Sequence, residues 1–287
     1  MKHIKTIVED IYEVIRNNGW YSEEISRGFV RELDSRLVEN INGQPTIPSL
    51  RLSQMGKKCP CQLWHSIHSS GLQEPLPPWA RIKYTYGHIL EAYVISMAKA
   101  AGHEVLGEQD ELTLDGVVGH RDCVIDGCIV DVKSTSSLGF QKFKDGSIRT
   151  SDNFGYLDQL DGYILASRND PIVRNKQSGY LLAIDKTLGK ICLYEHHLRE
   201  ESIRKRIADY RAIVALDRAP KCTCEEVPDG KSGNYRLGVT ASYSPFKYQC
   251  NPRLRCFLYS DGPRYLTRVV RKPDVIEIDR HGKIIHG

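Results

Sequence analysis

The spacing of apolar side chains along the chain predicts an alternation of helices and strands. Between residues 81 and 102 the apolar positions follow the three- and four-residue spacing of an amphipathic helix, at Ile89, Leu90, Tyr93, Val94, Met97 and Ala98. Short apolar runs then predict strands at 104–106, 111–114, 119–125 and 128–133. A helix is predicted at 152–167, strands at 179–185 and 191–195, and a charged helix at 198–217.

The dipeptide Asp126-Gly127 separates two of these apolar runs. Val124-Ile125 precedes it and Cys128-Ile129-Val130 follows it. Asp-Gly between β-branched runs is a strong signal for a two-residue hairpin, because both turn positions need a positive φ. The sequence therefore predicts an antiparallel pair centred on this turn.

Helices that alternate with strands in this way are typical of an α/β protein, in which helices cover a central mixed sheet. We expect residues 1–80 to form a helical N-terminal cap and residues 81–219 to form the core. Residues 220–287 are expected to be a loop-rich, cysteine-containing C-terminal tail that packs on the core.

Length and composition limit the class of protein. The chain has 287 residues, of which 40% are hydrophobic, which is enough for a substantial core. No apolar run reaches the length of a membrane span, and the first twenty residues lack the apolar segment of a signal peptide. These features predict a cytoplasmic protein with no membrane partner. The net charge of +4 is compatible with DNA binding without requiring it.

Three ionisable residues flank the predicted hairpin. Asp122 lies near the start of the first strand, whereas Asp131 and Lys133 end the second strand and share one face because side chains alternate. Carboxylates hold a divalent cation through oxygen, and a lysine can orient water or stabilise a charged phosphorane. An isolated Asp-x-Lys is more often a solvated ion pair, so the neighbouring elements decide between the two interpretations.

The neighbouring helices carry further polar residues. Glu91 lies inside the apolar stripe of the first core helix, where an acid is costly unless it is paired or bound to metal, and His88 lies one turn before it. In the helix at 152–167, Gln159 and Tyr163 are four residues apart and Tyr156 lies on the same face.

This order of a helix with Glu, a strand with Asp, a strand with Asp-x-Lys and a helix with Gln-xxx-Tyr resembles the PD-(D/E)xK nuclease superfamily. The resemblance is to its RecB-like branch, which includes CRISPR-associated adaptation nucleases and many phage exonucleases. It covers residues 81–165. In that branch a histidine often occupies the position of Glu91. The resemblance implies a restriction-endonuclease-like core that binds Mg²⁺ or Mn²⁺.

The resemblance also implies roles for individual residues. The metal ligands would be Glu91, Asp122, Asp131 and the carbonyl of Val132. Lys133 would be catalytic, and Gln159 and Tyr163 match the family's Gln-xxx-Tyr element. The expected DNA contacts are His88, Lys142, Lys144, Arg149 and Tyr156. The two lysines and Arg149 are included because they lie between the Asp-x-Lys strand and the Gln-Tyr helix.

The nine cysteines raise the question of a second metal. Several RecB-like nucleases hold an iron–sulfur cluster with one cysteine before the core and three after it. Cys59 and Cys250 fit that arrangement, but Ala241 and Ser244 stand where two cysteines are expected. We therefore expect a degenerate set without an iron–sulfur cluster. Two alternatives remain open: a site built from Cys59 or Cys61 with Cys222, Cys224, Cys250 and Cys256, or zinc bound by Cys59, Cys61, His65 and His68.

The expected function is that of a metal-dependent DNA exonuclease acting on linear single- or double-stranded ends, in the 5′-to-3′ direction that the resemblance favours. Such an enzyme would serve recombination, repair or phage DNA processing in a bacterial or phage-infected cell, with a possible recombination partner protein. The sequence does not fix the oligomeric state. Two other classes stay open: a non-catalytic DNA-binding or protein-interaction module on the same fold, and a structural protein centred on zinc or iron.

Overall fold

The computed structural model describes residues 2–19, 22–42, 48–56, 59–75 and 77–285. These residues form ten α-helices and twelve β-strands. The chain divides into two compact units, unit 1 with residues 1–55 and 77–205 and unit 2 with residues 56–76 and 206–287. Among the described helices, none combines the length and the apolar character that crossing a membrane requires.

Unit 1 is a mixed sheet covered by helices. Its helices are α1 (Ile7–Arg16), α2 (Glu23–Asn42), α4 (Pro78–Ala100), α5 (Ser137–Lys144), α6 (Ile148–Ser151) and α7 (Tyr156–Ala166). Its strands are β1 (Val105–Leu106), β2 (Glu111–Leu114), β3 (Val117–His120), β4 (Cys123–Ile125), β5 (Cys128–Thr135), β6 (Ser178–Asp185) and β7 (Ile191–His197). Helix α8 (Glu200–Val214) begins in unit 1 and continues into unit 2.

The five-stranded sheet has the order β1-β4-β5-β6-β7. Only β5 and β6 are parallel, so the sheet is mixed, as the sequence predicts. The predicted hairpin is confirmed, because Ile125 pairs with Cys128 across a two-residue turn. Asp126 and Gly127 have φ values of 51° and 77°, the positive φ that this turn requires.

Helices pack on both faces of this sheet. Helices α1 and α4 cover one face, where Ile7 and Val94 pack with Val130 and Leu182 in one apolar cluster. Helices α5 and α7 contact β5 and β6 as well. Gly179 of β6 permits the close approach of α7, since a Cβ there would lie 2.9 Å from side-chain atoms of Leu160 and Ile164.

The single strand predicted at 119–125 is in fact two strands in different sheets. Strand β3 ends at His120 and pairs with β2, whereas β4 begins at Cys123 and pairs with β5. Arg121 separates them because its side chain turns into the interior, where it is 2% exposed. Its guanidinium contacts Asp110 and Asp170, each at 2.6 Å. This change of direction sets the position of Asp122.

Unit 2 contains helices α3 (Pro60–His68), α9 (Val239–Ser242) and α10 (Lys247–Cys250). Its strands are β8 (Glu226–Pro228), β9 (Tyr235–Leu237), β10 (Arg255–Tyr259), β11 (Gly262–Arg268) and β12 (Glu277–Ile278). They form an antiparallel sheet in the order β12-β10-β11-β9-β8. The segment expected to be loop-rich therefore carries a sheet as well. The three consecutive segments predicted from the sequence do not coincide with the two units, because residues 56–76 cluster with the C-terminal part of the chain.

The substitution Arg121→Met tests the importance of the buried guanidinium. We expect the free energy of unfolding to fall by about 3 kcal/mol, because Asp110 and Asp170 would both lose the buried guanidinium that pairs with them. Urea denaturation of the purified protein measures this change. The matched control is Arg174→Ala, which removes the exposed ion pair with Glu104 and should cost less than about 1 kcal/mol. Equal losses for both variants would contradict a special role for Arg121.

Candidate functional site

The candidate site lies where β4 and β5 separate. Strand β4 begins at Cys123, opposite Val130, so β5 continues beyond its last partner on that side. The backbone N–H of Val132 therefore has no strand to bond there, and it donates to Asp122 Oδ2 at 2.7 Å. The Asp122 side chain thus takes the place of a strand partner, which holds this carboxylate beside Asp131.

Asp131 and Lys133 form an ion pair on one face of β5, as alternation predicts. Lys133 Nζ lies 2.5 Å from Asp131 Oδ2, and the two side chains are 17% and 1% exposed. Burial raises the pKa of Asp131 to about 7, with a further contribution from Asp122, while the Lys133 ammonium opposes the shift. For Lys133, burial favours the neutral amine, but Asp131 and Asp122 outweigh it and raise the pKa, so that the lysine stays charged.

Helix α7 brings two further predicted residues to Asp131. Gln159 Nε2 lies 3.5 Å from Asp131 Oδ1 and donates to the Tyr163 hydroxyl at 2.7 Å. Tyr163 is 2% exposed, and burial together with the charge of Asp131 raises its pKa. The i, i+4 pair on α7 therefore faces the end of β5, and it limits the positions that the Asp131 carboxylate can adopt.

Glu91 of α4 is connected to the site through Gln109, a residue that the sequence analysis did not identify. Gln109 Nε2 donates to Glu91 Oε1 at 3.1 Å, and the Gln109 backbone N–H donates to the Asp122 carbonyl at 3.1 Å. Its φ of 58° is rare for a residue other than glycine. A single glutamine in a loop has no periodicity, so the sequence offered no signal for it.

The charges of four carboxylates act on the buried thiol of Cys123. Burial raises its pKa well above the ordinary value, and the charges of Asp122, Glu108, Glu91 and Asp131 add to this shift. Glu108 is also paired with Lys99 at 2.6 Å. Four acidic side chains thus act electrostatically on the start of β4, where Cys123 lies.

The chemistry of these oxygen donors suits a hard divalent cation, although among the described residues Glu91, Asp122 and Asp131 do not form a group whose ligand atoms all lie within 4.8 Å of one another. The mutual repulsion of Asp131 and Asp122, which contributes to the raised pKa of Asp131, would be relieved by a bound cation. Carboxylate and backbone carbonyl oxygens are the ligands that Mg²⁺ and Mn²⁺ take in proteins. The residues that could hold the ion are Glu91, Asp122, Asp131 and the carbonyl of Val132.

The five residues expected to contact DNA have different surroundings. Tyr156 is next to the site, with its ring centre 5.2 Å from Lys133 Nζ, and His88 is half-buried on α4. Lys142 Nζ donates to the Ser151 carbonyl at 3.1 Å, and Arg149 Nε donates to the Tyr194 hydroxyl at 3.3 Å. Lys144 is exposed in the last turn of α5. We call Glu91, Asp122 and Asp131 the acidic centre. Tyr156 lies beside Lys133, the ion-pair partner of Asp131, whereas the three cations belong to the α5–α6 segment.

Unit 2 contains a second cluster, which consists of four cysteines. The sulfur atoms of Cys59, Cys222, Cys224 and Cys250 all lie within 4.8 Å of one another. The expectation of a degenerate set rested on Ala241 and Ser244. The structure instead supplies Cys222 and Cys224 beside Cys59 and Cys250, which is one of the alternatives left open. Cys61 joins the cluster at its edge, since the Cys250 thiol donates to its sulfur at 2.8 Å.

The remaining members of the two cysteine alternatives lie apart from this quartet. Cys256 is not part of the group of four and is buried in β10, where it pairs with Tyr265 of β11. His65 Nδ1 bonds the Ser69 hydroxyl at 3.0 Å, and His68 Nε2 bonds the Val214 carbonyl at 2.8 Å. The zinc set with the two histidines is therefore not assembled among the described residues.

No family model matches the chain, and a search of curated proteins finds no match. Among solved structures, the crystal structure of SSO0001 aligns with a TM-score of 0.44 and 16% identity, covering 76% of this chain and 93% of that one. An alkaline exonuclease from Laribacter hongkongensis aligns with a TM-score of 0.40 and 16% identity, covering 59% of this chain and 87% of its own. Its complex with dAMP gives 0.42 and 14%, with the same coverage. Conclusions about chemistry therefore depend on this chain's own residues.

The substitution Gln109→Ala tests whether Gln109 positions the acidic centre. We expect the affinity for Mn²⁺ to fall about tenfold, because residues that orient ligating carboxylates typically contribute this much. Calorimetric titration of the metal-free protein measures the affinity. The control is Gln177→Ala, which truncates an exposed side chain directly before β6. An unchanged affinity in the Gln109 variant would show that Glu91 and Asp122 need no such support.

Proposed function

We propose that the protein is a metal-dependent deoxyribonuclease that hydrolyses phosphodiester bonds from DNA ends. The observation that carries this proposal is the convergence of Asp122, Asp131 and Lys133 at the point where β4 and β5 separate. Gln109 links Glu91 to the same place. Two carboxylates beside a charged lysine in a buried position contribute little to stability. Such an arrangement is therefore more typical of a functional site, and it suits phosphodiester hydrolysis.

Glu91, Asp122, Asp131 and the Val132 carbonyl would hold Mg²⁺ or Mn²⁺. A bound ion of this kind polarises the scissile phosphate and lowers the pKa of a coordinated water. Asp122 is held by the Val132 N–H and Asp131 by Lys133 and Gln159, so these carboxylates are oriented before substrate arrives. This preorganisation supports a catalytic role rather than an accidental cluster of acids.

Lys133 acts in the hydrolysis as a charged hydrogen-bond donor. Its ammonium donates a hydrogen bond to the attacking water or to a non-bridging phosphate oxygen, where negative charge develops as the new P–O bond forms and the old one breaks. The raised pKa keeps it protonated throughout the neutral range. Gln159, which is bonded to the Tyr163 hydroxyl, contacts Asp131 Oδ1, whereas the Lys133 ammonium contacts Oδ2.

The substrate we propose is linear DNA, held mainly through its phosphates. Tyr156 lies beside Lys133, and Lys144 and Arg149 are exposed in the α5–α6 segment. In the chain as a whole, basic residues outnumber acidic ones in unit 2, whereas acidic residues outnumber basic ones in unit 1. Contacts between cationic side chains and DNA phosphates do not depend on the base sequence, and they weaken as the salt concentration rises. Digestion from the 5′ end, in recombination, repair or phage DNA processing, is the finer form of the proposal.

The rival interpretation is a DNA-binding or protein-interaction module without catalysis. Lys133 discriminates between the two, because a binding module has no need of an ammonium buried against two carboxylates. Under the nuclease proposal, Lys133→Ala abolishes cleavage and leaves DNA binding largely intact.

Digestion of end-labelled linear DNA with Mg²⁺ or Mn²⁺ tests the proposal. We expect the wild type to degrade linear single- or double-stranded DNA, and Asp131→Asn and Lys133→Ala to lose at least about 100-fold in rate, because each removes an interaction made to the reacting groups. EDTA should abolish the activity. The label position, 5′ or 3′, reports the direction of digestion.

Two controls accompany this assay. Asp261→Asn and Lys5→Ala make the same kinds of substitution at exposed ion pairs and should leave the rate unchanged. A closed circular substrate separates the two modes of cleavage, since only an endonuclease degrades it. Failure of the folded, Mn²⁺-loaded wild type to cleave any substrate would refute the nuclease and favour the binding module.

The cysteine quartet of unit 2 supports a second, structural function, which is to bind one metal ion. Hydrogen bonds from the thiols of Cys224 and Cys250 lower the pKa of Cys59, so the cluster stabilises a thiolate, the form that binds metal. One tetrahedral zinc ion with Zn–S bonds of about 2.3 Å places its sulfurs roughly 3.8 Å apart. Cys59 and Cys222 sulfurs are 4.0 Å apart, and all four lie within 4.8 Å. We therefore favour zinc over an iron–sulfur cluster.

Metal analysis of the protein purified without oxygen tests the quartet. We expect one zinc per chain, lost in Cys222→Ser and retained in Cys192→Ser, which changes a cysteine of β7 outside the quartet. Iron and sulfide in the protein, with absorption near 400 nm, would show that the quartet binds an iron–sulfur cluster and not zinc. The absence of any bound metal would overturn it.

A further inference from the structure

Three aromatic rings form a ladder from the interior of unit 1 to its surface beside the acidic centre. Phe143 is 3% exposed, and its ring centre lies 6.0 Å from that of Tyr156. Tyr156 in turn stacks on Phe154 at 5.6 Å with an angle of 26° between the rings. Phe154, the third ring, is 46% exposed. The ladder therefore presents an aromatic surface at its outer end.

The ladder is adjacent to the reacting groups. Lys133 Nζ lies 5.2 Å from the Tyr156 ring centre, and the Phe154 ring is only one stacking step further. A strand whose phosphate reached Lys133 would thus have its neighbouring bases within reach of Phe154. Stacking between a base and an aromatic side chain requires no particular base, because every base has a π face.

The loop that carries Phe154 is held in one conformation. Asp152 Oδ1 accepts from the Gly155 N–H at 2.8 Å and Asp152 Oδ2 accepts from the Leu157 N–H at 2.9 Å, while Gly155 has a φ of 73°. Both carboxylate oxygens of Asp152 thus accept from the backbone that follows Phe154. The exposed ring is therefore preorganised for stacking.

We propose that Phe154 stacks on an unpaired nucleobase next to the scissile phosphate, so that the preferred substrate has a single-stranded end. This inference rests on the proposed nuclease function. A paired base presents its faces to its neighbours in the duplex, so stacking on Phe154 requires an end that is single-stranded or has frayed. Phe154 is a binding residue in this scheme, and Lys133 and the acids remain the catalytic ones.

Kinetics on matched substrates test the proposal. Phe154→Ala should lower kcat/KM at least about tenfold on single-stranded DNA, the usual loss when one base-stacking side chain is truncated, and Phe154→Trp should retain most of the activity. An abasic nucleotide in place of the stacked base should slow the wild type by a similar factor and the alanine variant no further. Leu188→Ala, an exposed apolar residue in the β6–β7 turn, is the control and should behave as the wild type.

A binding measurement separates this inference from the nuclease proposal. The variant Asp131→Asn, mixed with a single-stranded oligonucleotide that carries the fluorescent base 2-aminopurine near its end, should quench the fluorescence. The double variant Asp131→Asn/Phe154→Ala should not. If the wild type cleaves nothing but the quenching depends on Phe154, the nuclease proposal fails and the stacking site stands. Two results would refute the stacking site if cleavage occurs. Phe154→Ala could be as fast as the wild type on single-stranded ends, or it could lose the same factor relative to the wild type on abasic DNA as on intact DNA.

Discussion

The buried ion pair between Asp131 and Lys133 is the interaction on which the candidate site depends. A carboxylate with almost no exposure is tolerated only with a charged partner and further hydrogen bonds, and Lys133 and Gln159 supply them. The parallel pairing of β5 with β6, at Leu181 and Ala183, fixes the two side chains on one face. Because β4 begins only at Cys123, the edge of β5 is open there, and Asp122 completes the backbone hydrogen bonding.

The two units offer chemically different donors. Unit 1 presents carboxylates and a backbone carbonyl, which suit hard cations such as Mg²⁺, whereas unit 2 presents four sulfurs, which suit zinc or an iron–sulfur cluster. The sulfur donors come from distant parts of the chain, since Cys59 and Cys222 are 163 residues apart. A metal there would close a long loop and support a unit built from short strands and short helices, so a structural role suits it better than a catalytic one.

Much of unit 1 could be predicted from local patterns. The mixed sheet, the helix of Glu91 and the hairpin at Asp126-Gly127 follow from periodicity and turn chemistry, and the structure contains them. The contacts of Asp131 with Lys133 and of Gln159 with Tyr163 follow in the same way from the two-residue and four-residue repeats of strand and helix.

The sequence by itself determined which side chains share a face, because the backbone of a strand or helix repeats at a fixed interval. Only the tertiary structure decided what lies opposite them. It divided the predicted strand at Arg121, whose partners are Asp110 and Asp170, and it brought Gln109 to Glu91. It also selected the four clustered cysteines from nine, and paired the short strands of the C-terminal segment. These outcomes depend on contacts between residues far apart in the chain, which no local pattern records.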